Sequence, residues 1–323
     1  MTLSLIILIS SFLISYKSIP LVKNLGERLS ILDLPNERKE HDTPLVRLGG
    51  ISIFIGLWIP ILIIYYLDLL PIDQSFKYDI FFKASFLFFT LGILEDIFHL
   101  SFFIKLILQV IISLFIYSNG LHLNLIDLSF LNLNSTHLNS VFICVVTIAW
   151  IVGIVNAFNW IDGLDGLASG LTIIISLGFL ILGLSSDLNV FIILVLCGIV
   201  GSNFGFLLHN FNPAKIFMGD GGSFFIGSLI ALLSINPQLF PVDITFNYIN
   251  NLGKVFLIGL PLLDMTYVIF KRISEKKSPF YPDRNHIHHR LIDFGFNYKQ
   301  TILFCFVLQL GLALIGLLIL KFR

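Results

Sequence analysis

Four short polar motifs interrupt an otherwise apolar chain: Glu95-Asp96, Asn156 to Gly166, Phe217 to Gly222 around Asp220, and His286-Ile-His288-His289. Their residue types suit phosphate chemistry. Carboxylates hold hard divalent cations. Glycines at a helix start bare backbone N–H groups to anions. Arginine and protonated histidine make charge-assisted bonds to phosphate oxygens. A polar group near a membrane is costly unless it is paired or functional, so four such motifs in one apolar chain point to one working site.

Each motif also has a plainer role. Glu95 and Asp96 are adjacent like charges, which a cation relieves; Lys105, near the start of the next apolar run, is a candidate partner. Asn156 and Asn159 are three residues apart, as are Asp162 and Asp165, so each pair is expected to share a helical face. Two amides and two acids are more than a simple helix stop needs. Asp220 lies among Gly219, Gly221 and Gly222, where it suits either a Mg²⁺ ligand or a helix N-cap. The three clustered histidines have Arg284 before them and Arg290 after them. A structural zinc site normally takes four ligands, so this loop reads better as a cationic grip on a diphosphate. The loop Asp33 to Gly50 carries Arg38, Lys39, His41 and Arg47. It reads either as an ordinary basic inner loop or as a clamp for an anionic head group.

The elements that must position these groups are membrane helices. The chain is 56% hydrophobic and 12% charged, against about 25% charged in soluble domains. Its net charge of zero argues against a nucleic-acid partner. Cys144, Cys197 and Cys305 lie far apart in apolar runs and read as small core residues. At about 20 apolar residues per span, ten spans are expected, near 2–17, 48–67, 79–95, 102–118, 139–158, 167–184, 189–208, 221–238, 253–271 and 301–320, forming a single membrane-embedded domain over 1–323. The first reads as a retained span. The loops 18–47, 96–101, 159–166, 209–220 and 272–300, with boundary residues, hold 15 of the 20 Lys and Arg. The positive-inside rule makes that side cytoplasmic, and all four motifs fall there. The 119–138 loop, without Lys or Arg, reads as an interfacial cover on the opposite side.

Taken in series, the motifs resemble the polyprenyl-phosphate N-acetylhexosamine-1-phosphate transferases, from about Asp33 to about Gly295. The family's acidic pair falls on Glu95 and Asp96; Glu95 departs from the usual Asp-Asp. Its active-site lysine falls on Lys105, and its Asn-x-x-Asp-Gly-x-Asp-Gly run on Asn159, Asp162 and Asp165. Its Mg²⁺ aspartate falls on Asp220, with Asn210 ten residues before, and its histidine loop on His286, His288 and His289. The peptidoglycan branch tends to three consecutive histidines and a longer loop after its acidic pair. This chain has neither and is similar to the amino-sugar branch.

The resemblance implies an all-α polytopic enzyme of the bacterial inner membrane, its site facing the cytoplasm. A polyprenyl-phosphate oxygen would attack the sugar-side phosphorus of a UDP-N-acetylhexosamine, UDP-GlcNAc by default, and UMP would leave. It implies catalytic roles for Glu95, Asp96, Lys105, Asp162, Asp165 and His286. Arg38, His41, Asn156, Asn159, Asn210, Arg284, His288 and His289 would bind substrate. Asp220 and Asp162 would hold Mg²⁺, with Mn²⁺ as a substitute. Undecaprenyl phosphate and membrane lipid are the expected partners, and a homodimer is compatible. Two alternatives carry different expectations: a muramyl-peptide transferase, or a carrier of an anionic solute or lipid with charges at mid-span.

Overall fold

A computed structural model describes residues 2–33, 44–70, 78–123, 136–184, 189–240, 247–281 and 283–321. Twelve helices make up the described fold: α1 (Thr2–Arg28), α2 (Gly49–Tyr66), α3 (Tyr78–Phe98), α4 (Phe102–Ser118), α5 (Thr136–Ile161), α6 (Leu167–Leu184), α7 (Val190–Asn210), α8 (Gly219–Ser234), α9 (Asn247–Ile258), α10 (Leu260–Ser274), α11 (Ile287–Asp293) and α12 (Tyr298–Lys321). Two two-residue strands, β1 (Leu32–Asp33) and β2 (Leu45–Val46), pair antiparallel and close the base of the 33–50 loop. Arg38, Lys39 and His41 fall outside the described residues, as does most of the 119–138 loop.

Ten of these helices, with α9 and α10 taken as one, follow the ten apolar runs. Helices α1, α2, α5, α7 and α12 are long and apolar enough to cross a bilayer, and the bent pair α9–α10 makes a sixth candidate; α4, α6 and α8 are apolar but shorter. The chain is therefore a helical membrane protein. Helix α1 runs eleven residues beyond its expected apolar stretch, through Pro20 to Arg28.

Helix α8 is the axis of the bundle. It packs on α3, α5 and α2, and every residue in it except Asp220 is buried. Without a hydrophobic force between helices in lipid, close contact must come from small residues. A Cβ at Gly92 of α3 would collide with the Asp220 carbonyl of α8, so that glycine brings the acidic end of α3 against the first turn of α8.

The expected span near 253–271 is broken. Helices α9 and α10 meet at a 90° bend at Gly259, whose φ of 41° disfavours any side chain. Such a break frees backbone groups that lipid cannot satisfy. Gln309 of α12, fully buried, satisfies two of them. Its Oε1 accepts from the Leu260 amide at 2.8 Å, and its Nε2 donates to the Leu257 carbonyl at 2.9 Å.

Candidate active site

The C-terminal ends of α3, α5, α7 and α10 and the N-terminal ends of α4, α6 and α8 gather at one end of the bundle. The order of connections requires this, because short links join α3 to α4, α5 to α6 and α7 to α8.

Asp96 is the keystone. It ends α3 buried, and its Oδ1 and Oδ2 accept from the amides of Asp220 and Gly221, each at 2.9 Å. The orphan donors of α8 are thus capped by another helix, while the residue flanking α8, Met218, supplies no side-chain cap. The Asp220 carboxylate is left free of capping duty. Arg47, just before α2, meets three carboxylates: Asp220 at 3.4 Å, Asp96 at 3.5 Å and Asp33 at 3.7 Å. Burial alone would favour its neutral form, but Asp96, Asp220 and Asp33 outweigh that and raise its pKa. Lys105 pairs with Glu95 Oε1 at 2.9 Å, while Glu95 Oε2 is buried without a hydrogen-bond partner.

Helix α5 stops at Ile161, so Asp162 and Asp165 lie in the following turn and not on a shared helical face. They diverge. Asp165 accepts from the Ala214 amide at 3.0 Å and from Asn212 at 3.3 Å, fixing the α7–α8 link. Asp162 faces the acidic cluster: burial first, then the negative charges of Asp220, Asp96 and Asp165, push its carboxyl well above the usual range, against Arg47. Asn159 donates to Ser223 at 3.0 Å, and Asn156 to Gln109 of α4 at 2.7 Å. Asn210 is a brace: it accepts from the Gly166 amide at 2.8 Å and donates to the Ile216 carbonyl at 2.9 Å.

The histidines arrive from the other side of the Asp162 turn. The His288 ring fills the space that Gly163 leaves, and the His286 ring meets Trp160 edge-on at 5.9 Å. His288 is buried. That burial first, then the charges of His289, His286 and Arg284, hold it well below the usual histidine range. These causes favour the neutral imidazole over the protonated one. His289 is shifted down more mildly, by burial first, then Arg284 and His286, against Asp293 and Asp264. Arg284 lies 4.0 Å from Asp293 and half exposed.

Two residues here stand outside every motif. Asp264 of α10 accepts from His286 Nδ1 and the Ile287 amide, each at 2.7 Å. Its sequence signal was a carboxylate inside the apolar run 256–270. Arg272 holds Asp283 through two nitrogens; nothing in its spacing marks it out from the neighbouring basic residues.

Among the described residues, five carboxylates (Asp33, Glu95, Asp96, Asp162, Asp220) thus face two cations (Arg47, Lys105) in this cluster. The excess negative charge suits a divalent cation. Among the described residues no three His, Cys, Asp or Glu side chains converge as a complete cage.

The chain is similar to known proteins along most of its length. Residues 79–238 match glycosyl transferase family 4. A probable undecaprenyl-phosphate N-acetylglucosaminyl 1-phosphate transferase of Bacillus subtilis is 34% identical over 90% of this chain and 77% of that protein. The chain belongs to glycosyl transferase family 4. Further members include an undecaprenyl-phosphate alpha-N-acetylglucosaminyl 1-phosphate transferase of Thermotoga maritima, 31% identical over 87% of this chain and 78% of its own length. Another is a decaprenyl-phosphate N-acetylglucosaminephosphotransferase of Mycobacterium leprae, 29% identical over 95% and 81%. Within the family-4 match lie Glu95, Asp96, Lys105, Asp162 and Asp220; Arg47 and the histidines lie outside it and reach the same site through the fold.

Proposed function

We propose that this family-4 member transfers N-acetylglucosamine-1-phosphate from UDP-GlcNAc to undecaprenyl phosphate, releasing UMP. The observation that carries the reading is the joining of Asp96, Asp220 and Arg47 at one helix start, in a chain whose relatives are named for this transfer. An oxygen of the lipid phosphate attacks the sugar-side phosphorus, the bond from that phosphorus to the UMP oxygen breaks, and sugar-1-phosphate remains on the lipid. The second pKa of a phosphate monoester is near ~6, so the nucleophile is largely ionised at neutral pH and no strong base is needed.

The chain's own groups have separable tasks. Asp96 accepts from the first amides of α8 and meets Arg47, so it holds Asp220 in place. Arg47 and Lys105 offset charge on the entering phosphates. His286 and His288 border the Asp162 turn and offer ring nitrogens to the diphosphate. Asp220 and Asp162 would hold Mg²⁺, or Mn²⁺ in its place, which supplies charge neutralisation and orientation on the diphosphate. Ten spans, with this end of the bundle in the cytoplasm, put the site where nucleotide sugars are available.

The test is UMP release by purified protein given undecaprenyl phosphate and a panel of UDP-sugars, with and without EDTA. Lipid-dependent release with UDP-GlcNAc, lost in EDTA and restored by Mg²⁺, is expected. Asp220→Asn should lower turnover by on the order of 10²-fold or more. Release without the lipid, or undiminished in EDTA, would overturn the reading.

A further inference from the structure

The segment that carries the histidines is held from one face of α10. Asp264 and Arg272 are eight residues apart, about two turns. Arg272 grips the near end: Asp283 at 2.9 and 3.1 Å, the Pro279 carbonyl at 2.6 Å, and the Trp160 ring at 4.9 Å from its centroid. Burial alone would raise the Asp283 carboxyl, but Arg272 and Asn285 hold it far below the carboxylate range. This is a clamp in which a helix cation and a loop carboxylate answer each other.

Asp264 does something different. It is 5% exposed, and it meets an imidazole and an amide. An ionised carboxylate only accepts hydrogen bonds. At 2.7 Å from Asp264 Oδ2, His286 Nδ1 must therefore carry the hydrogen, because the bond at one ring nitrogen fixes the state of the other. Nε2 is then the nitrogen left for a ligand, an acceptor on the neutral ring and a donor on the protonated one. The ring sits between Trp160, two residues before Asp162, and His288, stacked at 5.7 Å. The Ile287 amide, held by the other oxygen, stops the ring from swinging away. The bend at Gly259, braced by Gln309, aims α10 so that Asp264 reaches this point.

We propose that Asp264 is the positioning residue of His286, setting which imidazole nitrogen meets the diphosphate of the sugar nucleotide. The diphosphate rests on the transferase reading; the Asp264–His286 pairing does not. Asp264→Asn separates the two oxygens' tasks. Its amide oxygen can still accept from Ile287, but its amide hydrogen meets Nδ1, so the ring should switch to the Nε2–H form.

Full-length protein labelled with ¹⁵N-histidine, in lipid nanodiscs, tests this directly. His286 is assigned by the signal lost in His286→Gln. Expected are a protonated Nδ1 in the wild type and a protonated Nε2 in Asp264→Asn. Nε2–H in the wild type, or no change in the variant, would overturn the proposal. In the UMP-release assay each single variant should lose roughly 10²-fold in kcat, with the KM for the sugar nucleotide near wild type. The double variant should lose no more than His286→Gln alone. Multiplying losses would show that Asp264 acts independently of His286 and would sink the proposal. If the wild type releases no UMP with any donor, the transferase reading falls while the nitrogen spectra still decide the pairing.

Discussion

Arg47 touches Asp33, Asp96 and Asp220, three carboxylates from three elements. Removing it leaves them facing one another with, among the described residues, only Lys105 nearby. Arg47→Gln is expected to lower UMP release by about 10²-fold and to lower the melting temperature, with Mg²⁺ restoring part of the stability. Arg47→Lys should rescue little, because one ammonium cannot reproduce a planar fork over several carboxylates. His288 gives a prediction of opposite sign to a phosphate-gripping cation. The fold holds it deprotonated, so the unfolded chain binds the extra proton. Its contribution to stability is full above the ordinary histidine pKa of about 6.5 and is lost as pH falls from there toward the depressed folded value. Melting temperature in detergent should therefore fall between pH 7.5 and 5.5, and the fall should be smaller in His288→Gln.

Elements set the positions of these residues by capping and bending. Asp96 caps α8 from α3, so the two acidic motifs are parts of one helix junction, although 124 residues separate Asp96 from Asp220. The α9–α10 bend is a fixed feature and not a loose hinge, because Gln309 fills the backbone groups it frees. Gln309→Leu keeps similar volume but leaves a buried N–H and C=O unmade, at about 1–3 kcal/mol for each. A lower melting temperature is expected, together with lower UMP release, since α10 carries Asp264 and Arg272. An unchanged melting temperature would show that the bend holds itself.

For the whole molecule, the proposed orientation puts the histidine loop in the cytoplasm. With Cys144, Cys197 and Cys305 replaced by alanine, a cysteine at exposed Lys277 should react with an impermeant maleimide in inverted membrane vesicles but not in intact spheroplasts; the reverse labelling would invert the topology. The apolar runs and the four motifs were legible along the chain, because membrane burial demands long runs of one chemistry and makes each exception conspicuous. The helical class, the phosphate-handling residue types and the likeness to sugar-1-phosphate transferases followed from these local signals. The pairing of Asp96 with α8, the divergence of Asp162 from Asp165 and the bracing role of Asn210 were not legible. Spacing reports helix faces only while the helix lasts, and α5 ends at Ile161. Arg47 read as one loop cation among several, and Asp264, Arg272 and Gln309 belong to no motif. Their roles depend on which chain end folds against which, and tertiary packing alone decides that, because a carboxylate or amide has no partner until another helix supplies one.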